Sequence, residues 1–148
     1  MASLSKQVEG TFLGFDFGYK KIGVAVGETL TKMASPLQTI RSINQSPDWQ
    51  IISKLIQEWR PVGLVVGISR QSDGSDNPVT PRIIKFCHQL QGRYQLPVYQ
   101  QDETLSTFEA KQMLFEDVSL NATKLWEVQD QLAAQLILQS WLNGQIKG

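Results

Sequence analysis

The sequence predicts an α/β domain in which a mixed sheet, three antiparallel strands followed by parallel ones, is flanked by helices. Three observations lead there. Three short apolar segments follow one another near the start with only turns between them, the pattern of an antiparallel meander. After them, strand-length apolar runs alternate with helical patterns, as in parallel strands joined by helices. One of those runs, Val62 to Ile68, is apolar without alternation, as expected for a strand covered on both faces.

The elements follow in order. Thr11 to Phe17 is apolar and aromatic, Lys21 to Gly27 alternates around Ile22, Val24 and Val26, and Met33 to Ile40 follows a short turn. Ser46-Pro47-Asp48 reads as a helix start, with Ser at the cap and Pro in the first turn. That helix should carry Trp49, Ile52, Leu55, Ile56 and Trp59 on one face until Pro61 stops it. After the strand Val62 to Ile68, the polar segment Ser69 to Asn77 reads as a loop. Asn77-Pro78 or Thr80-Pro81 opens a second helix that runs to about Tyr94. Leu96 to Gln100 is a short strand, and Ser106-Thr107-Phe108-Glu109 fits a capping box that begins a third helix. The last helix is expected from about Glu127 to Asn143, with Gly144 as its stop.

The 148 residues have room for one core, so a single domain over 1–148 is expected. No apolar run reaches the roughly 20 residues of a membrane span, and the N-terminus lacks the apolar stretch of a secretory signal. One cysteine, Cys87, cannot form an internal disulfide, which fits a reducing compartment. A cytoplasmic protein without a membrane partner is the expectation. The 14 basic residues balance 14 acidic ones, which argues against tight non-specific binding to nucleic acid. Clustered acids offset by basic residues elsewhere remain compatible with a nuclease.

Three carboxylates stand out. Asp16 lies inside Phe12-Leu13-Gly14-Phe15-Asp16-Phe17-Gly18, where an unpaired charge would cost several kcal/mol to bury, on the order of 3–5. It either caps the turn at Gly18 or faces a cation, a cleft or a metal. Asp130 begins the inward stripe of the last helix, because Ala134, Ile137, Leu138 and Trp141 follow at i+4, i+7, i+8 and i+11. The small Ala133 and Ala134 let that helix come close to the strands. Its alternative role is an acid favoured by the helix dipole, worth about 0.3–1 kcal/mol. Glu103 follows a strand end, where ligands gather in open α/β sheets, and Asp102 competes for the same role. Hard oxygen ligands without a His or Cys cluster suit Mg2+ or Mn2+. Two such ions can activate a water and steady the leaving oxygen of a phosphodiester. His88, beside Cys87 in mid-helix, reads as structural.

Leu13-Gly14-Phe15-Asp16-Phe17-Gly18-Tyr19-Lys20-Lys21-Ile22-Gly23-Val24-Ala25-Val26 resembles the first strand pair of the YqgF family of Holliday junction resolvase-like proteins. Ser35-Pro36-Leu37-Gln38-Thr39-Ile40, Val65-Val66-Gly67-Ile68, Asp73-Gly74-Ser75, Asp102-Glu103-Thr104-Leu105-Ser106-Thr107 and Asp130-Gln131-Leu132-Ala133-Ala134 match further signatures in the same order. The resemblance runs from about Thr11 to Leu142. It implies a ribonuclease H-like fold and a nuclease concerned with the 5′ end of precursor small-subunit ribosomal RNA, or with junction-like DNA. The family's acidic positions fall on Asp16, Glu103 and Asp130, and Lys20 and Arg82 match its basic positions. Thr104 departs from the family's usual Arg, and a Thr cannot grip a phosphate bidentately.

The expected reaction is metal-assisted hydrolysis of an RNA phosphodiester. Asp16 bridges two ions, and Glu103 and Asp130 each help to hold one. Lys20, Lys21, Arg70 and Arg82 are candidate phosphate contacts, while Trp126 reads as core. Two alternatives stand beside this: a resolvase cutting branched DNA, and an RNA-binding factor of ribosomal particles with little catalysis. Asp16-Phe17-Gly18 also resembles the phosphate loop of the sugar-kinase and actin-like ATPases, but those build their cleft between two such domains and 148 residues provide one, so that reading is disfavoured.

Overall fold

A computed structural model describes residues 9–68, 79–102 and 122–144, with the side chains of the last helix described from Asp130 onward. The elements run β1 (Thr11–Asp16), β2 (Lys21–Glu28), β3 (Met33–Arg41), α1 (Trp49–Trp59), β4 (Gly63–Ile68), α2 (Thr80–Tyr94), β5 (Val98–Asp102) and α3 (Ala122–Gly144). The strands form one sheet in the order β3-β2-β1-β4-β5. β1, β2 and β3 are antiparallel, whereas β4 and β5 run parallel to β1. This is the expected mixed sheet, and β4 is buried at all six positions.

Strand alternation divides the core into two layers. Leu13, Phe15, Ile22, Val24, Leu64, Val66 and Ile68 point toward α1 and α2, where Ile52, Leu55, Ile83, Phe86 and Leu90 meet them. Phe12, Ala25, Ala34 and Val65 point the other way, onto Ala134, Ile137, Leu138, Trp141 and Leu142 of α3. The inward stripe expected from Asp130 is therefore the packing face of α3.

Several boundaries differ from expectation for local reasons. Ser46 does not cap α1; its N–H and C=O pair with Ile43 instead. Asp48 holds the cap position, so Pro47 precedes the helix rather than opening it. Arg60 turns the chain out of α1 in the left-handed conformation, one residue ahead of Pro61. Trp59, at the last helical position, is 39% exposed rather than part of the inward face. α2 starts at Thr80-Pro81, with Pro where its missing N–H costs nothing. β5 begins after Pro97 and runs to Asp102, and α3 begins at Ala122 rather than near Glu127. The expected loop 69–77, the Asn77-Pro78 start and the helix at Ser106 lie outside the described residues.

α3 lies very close to the sheet where β1 and β2 carry Gly14, Gly23 and Gly27 beneath it. A Cβ on Gly14 would come within 2.8 Å of the Leu138 Cβ, and one on Gly27 within 3.0 Å of Leu142. Glycine costs a strand about 0.5–1 kcal/mol relative to alanine, so its repetition here reflects the close approach. α3 also reaches the edge strand. Gln135 Nε2 donates to the Ala34 carbonyl at 2.9 Å, and Ala34 N–H donates to Gln139 Oε1 at 3.0 Å. Gln139 Nε2 donates to the Lys32 carbonyl at 2.7 Å. Glutamines one helical turn apart thus occupy backbone groups that an open sheet edge would offer to another chain.

Candidate active site

The parallel direction of β1, β4 and β5 brings their carboxyl ends, Asp16, Ile68 and Asp102, to one end of the sheet. Asp16 ends β1 directly opposite Gly23 of β2, and Gly23 in turn lies opposite Thr39 of β3. α3 crosses this row. A Cβ on Gly23 would run into the Asp130 carbonyl oxygen, and it would also touch the Asp130 Cβ at 2.9 Å. The next residue, Gln131, donates from Nε2 to Thr39 Oγ1 at 3.2 Å. Phe12 and Gly14 face α3, so alternation puts Asp16 on the same side. Asp16 and Asp130, 114 residues apart in the chain (130 − 16 = 114), therefore converge over a single missing side chain.

Lys21 shares the α3 face with Gly23 and Ala25, and its Nζ lies 3.2 Å from Asp130 Oδ2. The two side chains are 29% and 19% exposed. Asp130 Oδ2 is nevertheless buried and has no hydrogen-bond partner among the described residues, so the ion pair is a charge contact without hydrogen-bond geometry. A partly exposed pair contributes at most about 1 kcal/mol, while an unsatisfied buried acceptor costs about 1–3 kcal/mol. The carboxylate keeps capacity for a cation. Two hard oxygen donors, brought together with one buried atom unsatisfied, fit Mg2+ or Mn2+. The described residues contain no set of three potential ligands; Glu103, the third expected acid, lies outside them.

Asp102 falls on the wrong face for this pair. Tyr99 packs its ring on Trp141, with centroids 5.0 Å apart, whereas Val98 packs in the α2 layer and the Gln100 side chain bonds Cys87. Alternation puts Asp102 with Val98 and Gln100, away from Asp16 and Asp130. The expected basic residues divide likewise. Lys21 is among the carboxylates and Lys20 is exposed on the β1–β2 turn. Arg82, in the first turn of α2, places its guanidinium 4.8 Å from the Tyr19 ring centre, on the opposite side of that turn. Arg70 lies outside the described residues, as does the Trp126 side chain. His88 is exposed on α2. Burial pushes the Cys87 thiol up to about 11, which leaves it protonated and unsuited to nucleophilic catalysis.

The residue that sequence reasoning missed is Gly23. Its signal was the alternation Gly23, Ala25, Gly27 along one strand, a small-residue face awaiting a close neighbour.

A mixed sheet of this order, with one acid ending its first strand and another on the helix that crosses it, has the ribonuclease H-like architecture. The family model of RuvX, described as a Holliday junction resolvase, matches residues 10–144, and the chain belongs to that family. This bears out the YqgF resemblance. A protein of Methylococcus capsulatus named "Putative pre-16S rRNA nuclease" is 50% identical over 90% of this chain and 88% of its own length. One of the same name from Hydrogenovibrio crunogenus is 42% identical over 95% and 98%. Among solved structures, the fowlpox virus resolvase in complex with Holliday junction DNA matches with a TM-score of 0.58 at 12% identity, covering 93% of this chain and 99% of its own. T. thermophilus RuvC with its junction substrate matches at 0.51 and 16%, covering 92% and 95%. These two likenesses speak to the fold.

Proposed function

We propose that the chain hydrolyses RNA phosphodiesters in the cytoplasm, as a single domain, maturing the 5′ end of precursor small-subunit ribosomal RNA, free or within ribosomal particles. Asp16, Glu103 and Asp130 hold Mg2+ or Mn2+. The observation that carries the reading is the buried Oδ2 of Asp130, without a hydrogen-bond partner among the described residues, on a residue whose carbonyl and Cβ sit over Gly23, the cross-strand neighbour of Asp16. The relatives named for pre-16S rRNA support the choice of substrate. Bound divalent ions supply a water of lowered pKa and offset charge on the leaving oxygen.

The chain's own groups orient the reaction. Asp16 is held by the β1–β2 ladder and Asp130 by the packing of α3, so the carboxylates need little reorganisation when substrate binds. Lys21, beside Asp130 Oδ2, offsets phosphate charge. Lys20, Arg70 and Arg82 contact backbone phosphates and set register without reading sequence. The water oxygen bonds to phosphorus and the P–O3′ bond breaks. The water's proton passes to solvent and the departing 3′ oxygen takes one up, leaving 5′-phosphate and 3′-hydroxyl ends.

The test is cleavage of an end-labelled precursor ribosomal RNA fragment by the wild type and Asp16→Asn, in Mg2+, Mn2+ and EDTA. Cutting by the wild type that both EDTA and the substitution abolish is the expected result, with circular dichroism showing the variant folded. Equal cutting by both proteins overturns the site. RNA bound but uncut by either favours an assembly factor. The family's description as a Holliday junction resolvase favours a second reading, cleavage of branched DNA, so a synthetic four-way junction belongs in the same assay.

A further inference from the structure

The β1–β2 turn separates two surfaces. Asp16 ends β1 on the α3 side, and the next residue, Phe17, belongs to the α2 layer. There Phe17, Ser46, Pro47, Arg82, Lys85 and Gln89 line a cleft of about 70 Å³. That is far smaller than the roughly 300–1,000 Å³ of a small-molecule site, yet it has room for one phosphate group and its waters. Its charged lining residues among those described, Arg82 and Lys85, are both cationic. Arg82 links this cleft to Tyr19, which is 43% exposed although aromatic, with its guanidinium laid on that ring at 4.8 Å. That contact leaves the guanidinium edge to meet a phosphate and holds the ring at the crest of the turn.

We propose that this cleft is a second nucleic-acid subsite, in which Lys85 and Arg82 receive one backbone phosphate and Tyr19 stacks on an unpaired base. A strand leaving the carboxylates over the turn would enter it. Exposed aromatics beside cations suit single strands, because every base has a face to stack and no groove is read. The subsite thus makes the enzyme prefer an unpaired flank to a continuous duplex. This rests on the nuclease reading above, and it is tested by binding rather than by cutting.

The experiment is fluorescence anisotropy in EDTA, with a labelled single-stranded RNA dodecamer and the same sequence as a duplex, from about 50 to 200 mM salt. Tyr19→Ala should weaken single-strand binding by about 5- to 150-fold, the loss of one stacked base, and leave duplex binding within about two-fold. Tyr19→Phe, which keeps the ring, should bind like the wild type. Lys85→Gln should make the slope of log K against log salt shallower by about 0.7, one single-strand phosphate contact. Unchanged binding by both Tyr19→Ala and Lys85→Gln overturns the subsite while leaving Asp16-dependent cleavage untouched. Equal losses on single strand and duplex overturn the stacking role. A wild type that binds neither RNA overturns the subsite and the RNA reading together, whereas cleavage lost only in Asp16→Asn concerns the carboxylates alone.

Discussion

The two faces of the sheet solve different problems with the same strands. Toward α1 and α2 the strands present Leu13, Phe15, Val24, Val66 and Ile68, which meet Phe86 and its neighbours in a core of large side chains. Phe86 contacts Phe15 edge-on at 5.7 Å and lies 5.1 Å from Phe17 and 5.8 Å from Trp49. Toward α3 the same strands present Phe12 and Val65, but also Gly14, Gly23, Ala25 and Gly27, where the helix comes nearly onto the strand backbone. Large side chains remove more apolar surface from water, so the first face contributes most of the stability. The glycine positions contribute less, but they fix the height of the helix above the strands and with it the position of Asp130. The difference teaches that one layer is built from large side chains while the other sets the place of the candidate site.

If that division is right, damage to the two faces should separate stability from activity. The largest expected loss of stability is for Phe86→Ala. Removing a buried ring at the centre of three aromatic contacts should cost about 3–5 kcal/mol in denaturant unfolding, while cleavage per folded molecule stays within about two-fold. An equal loss of specific activity would break the comparison. Gly23→Ala should cost less stability, about 1–3 kcal/mol as for other overpacked sites. Its added methyl must nevertheless push Asp130 off the Asp16 row. Cleavage should fall by about 100-fold, as 1 Å displacements in active sites do; unimpaired cleavage would remove Gly23 from the account. Gln135→Ala is the mildest. It deletes one side-chain hydrogen bond to the edge strand, worth about 0.5–1.5 kcal/mol, and size-exclusion chromatography should reveal any tendency of the uncovered edge to pair. A neutral result would confine α3's hold on the sheet to its apolar stripe.

Much of this was legible in the residues. The strand meander, the doubly covered β4 and the end of α2 at Tyr94 follow from hydrophobic period and from proline placement. The inward position of Asp130 followed from the apolar residues one, two and three turns beyond it. Boundaries that depended on competition between neighbours were not legible. Ser46 suits a cap, yet its backbone was taken by the bridge to Ile43. The basic residues were read as one phosphate-binding set, but Lys21 and Arg82 stand on opposite sides of the β1–β2 turn, because position along a sequence does not say which face of a sheet a helix will cover.

The sequence by itself determined the element types, the two apolar stripes and the family, since these are carried by local period and by motifs in order. Only the tertiary structure decided which acid meets which. Asp130 stands over the cross-strand neighbour of Asp16 because strand register sets Gly23 opposite Asp16 and the helix settles where no side chain holds it off. Asp102, whose neighbour in the chain was the expected ligand, turns with Val98 and Gln100 to the other face, as the alternation of an extended strand requires.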